Sequence, residues 1–317
     1  MTNTDEQLGP EFLHLTKAFT GLGVDERTLI SVLGKSHPDD RKSYRKGIRF
    51  FTEDERSFEK SEADHIAQLE REFLRFKNAM VFWTMHPWER DARLVNDALL
   101  KEPQLYSVVV EIACTRSSEE LLGARKAYHS LYDHSIEEDV AVMVPGPECK
   151  LLVALVSAYR YEGSKVNEET AKSEAKIFSN AIKDASKNPI EDEEVIRILT
   201  TRSKLHISTV FKHYKEICSN SIDEDLDTNL CLKETVQCLF NPETYFSKKL
   251  ADAFNSEADE NTKDALTRVI VTQVDANMQK IKEDYHNNYG VDISDKIEEE
   301  VNGNYKDFLL TLLARQS

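Results

Sequence analysis

VVVEIACTRSSEELLGARKAYHSLYDHSIEEDV, residues 108–140, decides the fold, because its spacing returns twice further along the chain. Arg116 is followed 12 positions later by Tyr128, 8 later by Ile136 and 4 later by Val140. EVIRILTTRSKLHISTVFKHYKEICSNSIDEDL, residues 194–226, sets Arg202, Tyr214, Ile222 and Leu226 at those steps, and LTRVIVTQVDANMQKIKEDYHNNYGVDISDKI, residues 266–297, sets Gln273, Tyr285, Ile293 and Ile297 there. Recurring registers of this length mark a repeat architecture, in which each unit buries its apolar face against the next.

Each copy runs on into a further apolar stretch, CKLLVALVSAYRY, ETVQCLFNPETYF or KDFLLTLLAR, and a less regular copy precedes them. It begins TLISVLGKSHPDDRKSYRKGI, with Ser36 in the Arg116 register and Ile48 in the Tyr128 register, and continues through HIAQL to KNAMVFWTMHPWERDARLV. Four repeats, at 8–88, 89–163, 170–246 and 247–315, cover nearly all of the chain. Inside a repeat, Leu121, Leu122, Arg125, Tyr128 and Leu131 fall near one face at helical spacing. Thr115-x-x-Ser118-Glu119-Glu120 reads as a helix start, with acids placed favourably in the first turn. Turns such as Asn188-Pro189, Asn241-Pro242 and Asn288-Tyr289-Gly290 separate short helices of roughly 8–16 residues, and no segment alternates as a strand would.

The composition agrees. Gly and Pro number only 10 and 8 in 317 residues, which favours helix, and 40% hydrophobic content suffices for a sizeable core. Lys and Arg number 41 against 57 Asp and Glu, so the net charge is −16. That charge excludes a nucleic-acid partner held by phosphate neutralisation. No stretch approaches the ~18–20 apolar residues of a membrane span, and MTNTDEQLGPEF lacks the basic-then-apolar order of a secretory leader, so a cytoplasmic chain is expected. Cys114, Cys149, Cys218, Cys231 and Cys238 are odd in number and without CxxC spacing, which reads as reduced thiols serving as packing groups.

IACTRSSEELLGARKAYHSLYDHSIEEDV, the SAYRYEG that follows it and EVIRILTTRSK resemble plant annexins, and the similarity spans about residues 8–315. The resemblance implies an all-α fold of four annexin-type repeats, each of about five short helices, packed as a curved disc. It also implies calcium-dependent peripheral binding to acidic phospholipid membranes. A protein of charge −16 is repelled by an anionic leaflet, and calcium, which takes about 6–8 oxygen ligands, bridges the two by accepting both protein and lipid oxygens. The alternative is a calcium-independent scaffold of the same fold that contacts proteins such as F-actin or other annexins.

In the family the calcium site is a Gly-x-Gly-Thr loop completed by an acid about forty residues on, in the loop before the last helix. In repeat 1 the resemblance gives carbonyl ligands at Phe19, Gly21 and Gly23, Leu22 exposed toward lipid, and Glu72 as the acid. Repeat 1 departs from the pattern in three ways. Val24 replaces the threonine, Arg75 stands at a usual glycine position, and a charged insertion around Arg49–Asp64 lengthens the interval from Gly23 to Glu72 to 49 residues. Repeat 2 has Lys101-Glu102-Pro103-Gln104-Leu105 as its loop and Met143 at the acid position, and repeat 3 has Asp227 but Ala185-Ser186-Lys187-Asn188-Pro189 in the loop; neither is assigned a site. Repeat 4 keeps Glu300 ahead of Gly303, with the glycine-free loop Ser256-Glu257-Ala258-Asp259-Glu260-Asn261-Thr262, and is read as a weaker second site.

Other chemistry linked to plant annexins finds little footing. His37 precedes Pro38 in a turn and is a poor haem ligand, no GxxxxGK[ST] segment exists for a nucleotide, and no nucleophile or dyad points to an enzyme. Ile196-Arg197-Ile198 matches a proposed actin contact, but its isoleucines fit the apolar helix positions. Cys114 and Cys238 resemble paired sulfurs of relatives, with nothing basic nearby to favour a thiolate.

Overall fold

Serine, acid and tyrosine in a fixed register build the same local structure more than once. A computed structural model describes residues 10–18, 21–35, 61–101, 105–184, 186–226 and 228–315. Helices make up most of the described residues, and the single β feature there is an isolated parallel bridge between Leu22 and Val301. Contacts divide it into two units, Met85–Tyr245 and Met1–Thr84 with Phe246–Ser317.

The unit Met85–Tyr245 holds repeats 2 and 3. Its helices are Pro87–Leu100, Tyr106–Thr115, Ser118–Tyr132, Ile136–Met143 and Glu148–Val156, then Glu168–Lys183, Glu193–Thr201, Lys204–Cys218, Ile222–Asp225 and Leu230–Phe240. Ser117, not Thr115 or Ser118, caps the helix Ser118–Tyr132. Its side chain accepts from the Glu120 N–H while Glu120 reaches back to the Ser117 N–H, the reciprocal capping that Ser135 and Glu138 repeat. Thr115 instead ends the preceding helix, its hydroxyl donating to the Glu111 carbonyl at 2.6 Å.

The recurring Arg and Tyr of the sequence are polar anchors, the arginines partly exposed and tied to buried acids, the tyrosines of this unit buried. Arg116 forks onto Asp91 at 2.6 and 3.0 Å, and Arg202 forks onto Glu174 at 2.9 and 2.7 Å, so an arginine just past one helix ties back to an acid on the helix before it. Glu174 also accepts from Arg197 at 3.1 Å and pairs with His206 Nε2 at 2.8 Å. Burial works against its charge, but Arg202, His206 and Arg197 outweigh it and hold the carboxyl below its usual range. Tyr128 and Tyr214, both fully buried, donate to Asp139 and Asp225, each three residues past the recurring isoleucine. Five residues after each repeat tyrosine the backbone turns left-handed, at Asp133 (φ 64°), Ser219 (φ 67°) and, in the other unit, Gly290 (φ 72°). These are the C-caps that end the tyrosine helices.

SAYRYEG is a strap between the repeats of this unit. Arg160 donates to the carbonyls of Leu199 and Arg202 at 2.6 and 2.8 Å, and the Tyr161 N–H donates to Thr201 at 3.0 Å. These carbonyls belong to the end of helix Glu193–Thr201, where they lack helical partners. Ile198 of the Ile196-Arg197-Ile198 segment is buried, and Arg197 is paired with Glu194 and Glu174.

The unit of repeats 1 and 4 contains α1 (Pro10–Ala18), α2 (Glu26–Leu33) and α3 (Ser61–Thr84). From repeat 4 it has α4 (Glu260–Gln273), α5 (Met278–Tyr289), α6 (Ile293–Glu300) and α7 (Gly303–Leu313), preceded by helix Pro242–Ala253, most of which falls in this unit. α3 packs on α4 and α7, and α2 also meets α7. At 24 residues α3 exceeds the expected helix length and carries the chain without a break through Glu72, where the family pattern puts a loop. Leu-Glu-Arg-Glu-Phe-Leu-Arg-Phe-Lys, residues 69–77, contains no glycine or proline to stop it, Arg75 having taken the glycine position.

All five cysteines are free; Cys114, Cys231 and Cys238 are buried. Burial pushes the thiols of Cys114 and Cys231 up to about 11 and about 12, so both stay protonated and inert at neutral pH. His37, Phe19, Ala185 and Asp227 lie outside the described residues.

Candidate functional site

Two glycines let the loop between α1 and α2 fold onto the turn between α6 and α7. Gly21 and Gly23 take φ of 87° and 78°, a region that side chains with a Cβ rarely enter. The Leu22 N–H donates to the Glu300 carbonyl at 2.9 Å, and the Asn302 N–H donates to the Leu22 carbonyl at 2.8 Å. A Cβ on Gly21 would lie 2.3 Å from the Glu300 carbonyl oxygen, so the close approach requires glycine. Glu26, at the start of α2, accepts the Asn304 N–H at 3.2 Å, and Asp25 caps α2 by accepting from Thr28 N–H and hydroxyl at 3.1 and 2.7 Å.

This docking corrects one expectation. Leu22 is only 6% exposed rather than turned toward lipid, because the bridge to Val301 brings it under the α6–α7 turn. The environment is apolar: Val24, Val301 and Tyr305 are each 2% exposed or less. Tyr305 shares a 2.7 Å hydrogen bond with Thr267, and burial pushes its hydroxyl up to about 12.

Glu72 does meet the glycine loop, but as a closed group. Its Oε2 accepts the Gly23 N–H at 2.6 Å and Arg75 Nε at 2.6 Å, while its Oε1 accepts Arg75 Nη2 at 2.7 Å. Arg75 continues to α4, donating to Glu260 Oε2 at 2.8 Å and Asp264 Oδ1 at 3.4 Å. Glu72 and Arg75 are 8% and 5% exposed. Burial alone would lower the basicity of Arg75, but the hydrogen bonds and charges of Glu72 and Glu260 reverse the sign and raise it.

Paired in this way, Glu72 does not fit the part of calcium ligand that the resemblance gave it. Calcium draws on about 6–8 free oxygens, whereas both oxygens of Glu72 already accept N–H donors, from Gly23 and Arg75 on Oε2 and from Arg75 on Oε1. Arg75 already places a positive charge against the acid. The sequence singled out Arg75 as a departure but did not reveal Glu260 and Asp264 as its partners, which come from 185 or more residues away. The same-face spacing of Glu72 and Arg75, three apart on a helix, was the available signal.

The other candidates are occupied in similar ways. Glu300 pairs with Lys296 at 2.8 Å, and its carbonyl is the one that holds Leu22. In the repeat 4 loop, Asp259 caps α4 through the Thr262 N–H at 2.7 Å, and Glu260 is turned to Arg75 and Lys263. In repeat 3, Asn188 and Asn229 join the two loops by a 2.7 Å amide hydrogen bond. Among the described residues no group of three or more His, Cys, Asp and Glu is arranged to hold a metal ion. At helix ends in repeats 2 and 3, large apolar side chains are exposed: Leu100 by 61%, Val142 by 83% and Leu230 by 67%.

The annexin family model matches residues 90–155, 173–230 and 245–312. The chain is 51% identical to annexin D4 of Arabidopsis thaliana over 312 residues, covering 96% of this chain and 98% of that one. It is 39% identical to the annexin-like protein RJ4 of Fragaria ananassa, covering 95% and 94%. Among solved structures, a mutant of annexin A8 with an intact N-terminus superposes with a TM-score of 0.68 at 26% identity, covering 99% of this chain and 97% of that one. Calcium-bound annexin (Sm)1 superposes at 0.65 and 16% identity, covering 100% and 93%, which speaks to the fold alone. With an all-α repeat fold and half its residues shared with a plant annexin along nearly the whole of both chains, this chain belongs to the annexin family, in its plant branch.

Proposed function

We propose that the chain binds acidic phospholipid surfaces as a peripheral protein, with the loop ends of repeats 2 and 3 as its contact. Calcium-dependent phospholipid binding is the general property that family and fold support. The observation that carries the reading here is the exposure of Leu100, Val142 and Leu230 beside loops whose sequences have lost calcium ligands. Each such side chain contributes about 1.5–3 kcal/mol if fully buried in an apolar phase. No helix among the described residues is long and apolar enough to cross a membrane, which agrees with a surface mode. A net charge of −16 opposes approach to an anionic leaflet, so the reading includes calcium as the counter-ion that lipid and protein share, with Glu72 outside its ligand set. The proposed location is the cytoplasm, with reversible attachment to membranes, and no catalytic step is assigned.

The second reading is the calcium-independent scaffold that meets F-actin or another annexin; the pairing of Arg75 with Glu72 favours it. Cosedimentation with phosphatidylserine or phosphatidylcholine vesicles, in calcium or in EDTA, separates the two. Binding confined to acidic vesicles with calcium, and weakened about tenfold or more by Val142→Ser with Leu100→Ser, supports the first. Absence of vesicle binding under every condition removes it.

A further inference from the structure

We infer that Arg75 is the built-in cation of the first repeat, occupying electrostatically the place that a divalent ion takes in a glycine-loop site, so that the loop stays docked with or without calcium. Three observations on this chain lead there. Glu72 reaches the Gly23 N–H, so the acid and the glycine loop are in contact as a metal site requires, yet the charge that satisfies the acid comes from a guanidinium three residues along α3. The planar fork of arginine fills both carboxylate oxygens at 2.6 and 2.7 Å, which a lysine cannot do. On α4, Glu260 shares Nη2 with Glu72 and Asp264 takes Nη1. Three carboxylates therefore converge on one buried cation, and with that cation gone they would be left facing each other.

The arrangement also explains why the loop can dock at all. A buried carboxylate needs a charged partner, and an ion that comes and goes would leave Glu72 unpaired whenever calcium fell. Arg75 removes that dependence. It holds Glu72 in place, Glu72 holds the Gly23 N–H, and Leu22 stays bridged to Val301. The first repeat is thereby a permanent clasp between the α1–α2 loop and the α6–α7 turn.

The test uses the full chain with metal alone, so its outcome is independent of lipid binding. Calcium is titrated calorimetrically into metal-free wild type and Arg75→Gln, and exchange of the Gly23 amide is followed in EDTA and in calcium. Arg75→Gln is expected to take up one more calcium ion per chain than wild type. Its Gly23 amide should exchange about tenfold faster or more in EDTA and recover in calcium. A purely structural ion pair would lower stability without adding an ion, so equal stoichiometry overturns the inference. Arg75→Lys, which keeps charge but not the fork, is expected to gain no ion, and a gain equal to that of Arg75→Gln overturns the inference. Wild type supplies the arm that needs no variant to fold: its Gly23 amide is expected to be equally protected in EDTA and in calcium, and protection that appears only with calcium overturns the reading.

Discussion

Replacing Gly21 with alanine measures how firmly the first-repeat loop is clasped. At φ 87° an L-residue costs about 1–2 kcal/mol by itself. The new Cβ would also lie 2.3 Å from the Glu300 carbonyl oxygen, a contact with backbone that no rotamer relieves, so the loop must lift. Lifting breaks the hydrogen bonds of 2.9 and 2.8 Å on either side of Leu22, worth about 1 kcal/mol each, and re-exposes Leu22, worth about 2 kcal/mol. Gly290→Ala is the control, because φ is 72° there and nothing lies within 4 Å of the added carbon. Gly21→Ala should therefore cost about 4 kcal/mol more than Gly290→Ala. Urea unfolding followed by Trp83 fluorescence in a Trp88→Phe background reports on this unit. Equal costs for the two substitutions would refute the docking of the loop on the α6–α7 turn.

Two further outcomes concern buried charge. Glu174→Gln leaves the partly exposed Arg202 and the buried His206 without their shared anion and should destabilise by about 1–3 kcal/mol at neutral pH, read by urea unfolding; no measurable loss contradicts the network. Because the Glu174 carboxyl is held below its usual range, its contribution is present above the unfolded value near 4.3 and fades as pH falls through the folded one, so wild type and variant should converge in acid. His213 lies between Glu216 at 2.9 Å and Glu168 at 2.8 Å, and hydrogen bonding first to Glu216 and then to Glu168 raises it above 6.5. Its stabilisation is complete below that value and is lost as pH rises through the folded one, and His213→Gln should flatten this part of the stability profile; an unchanged slope would show that the pairs do not form in solution.

Helices and repeats are legible because they depend on neighbours in sequence, and the sequence places the start of helix Ser118–Tyr132 within a residue or two of its true cap, Ser117. A tyrosine 12 residues after an arginine, with serine ahead of each acidic run, needs only helical geometry to predict which face is buried. Even where residue types change, as from Asp133 to Ser219 to Gly290, the register carries the left-handed turn with it. The length of α3 is where the family pattern misleads: it puts a loop at Glu72, but the glycine that would open that loop is Arg75 here, and with no breaker the helix continues.

The sequence by itself therefore determined an all-α repeat protein and the register of its repeat tyrosines, and the family resemblance added a glycine loop with one acid assigned to it. Only the tertiary structure decided what that loop touches. Leu22 was expected in lipid and lies under Val301, and Glu72 was expected to hold calcium and holds Arg75, because both outcomes depend on α4, α6 and α7 arriving from the far end of the chain. Which cation neutralises an acid is set by the charge that reaches it in three dimensions, and a family pattern in one dimension names the acid without fixing its partner.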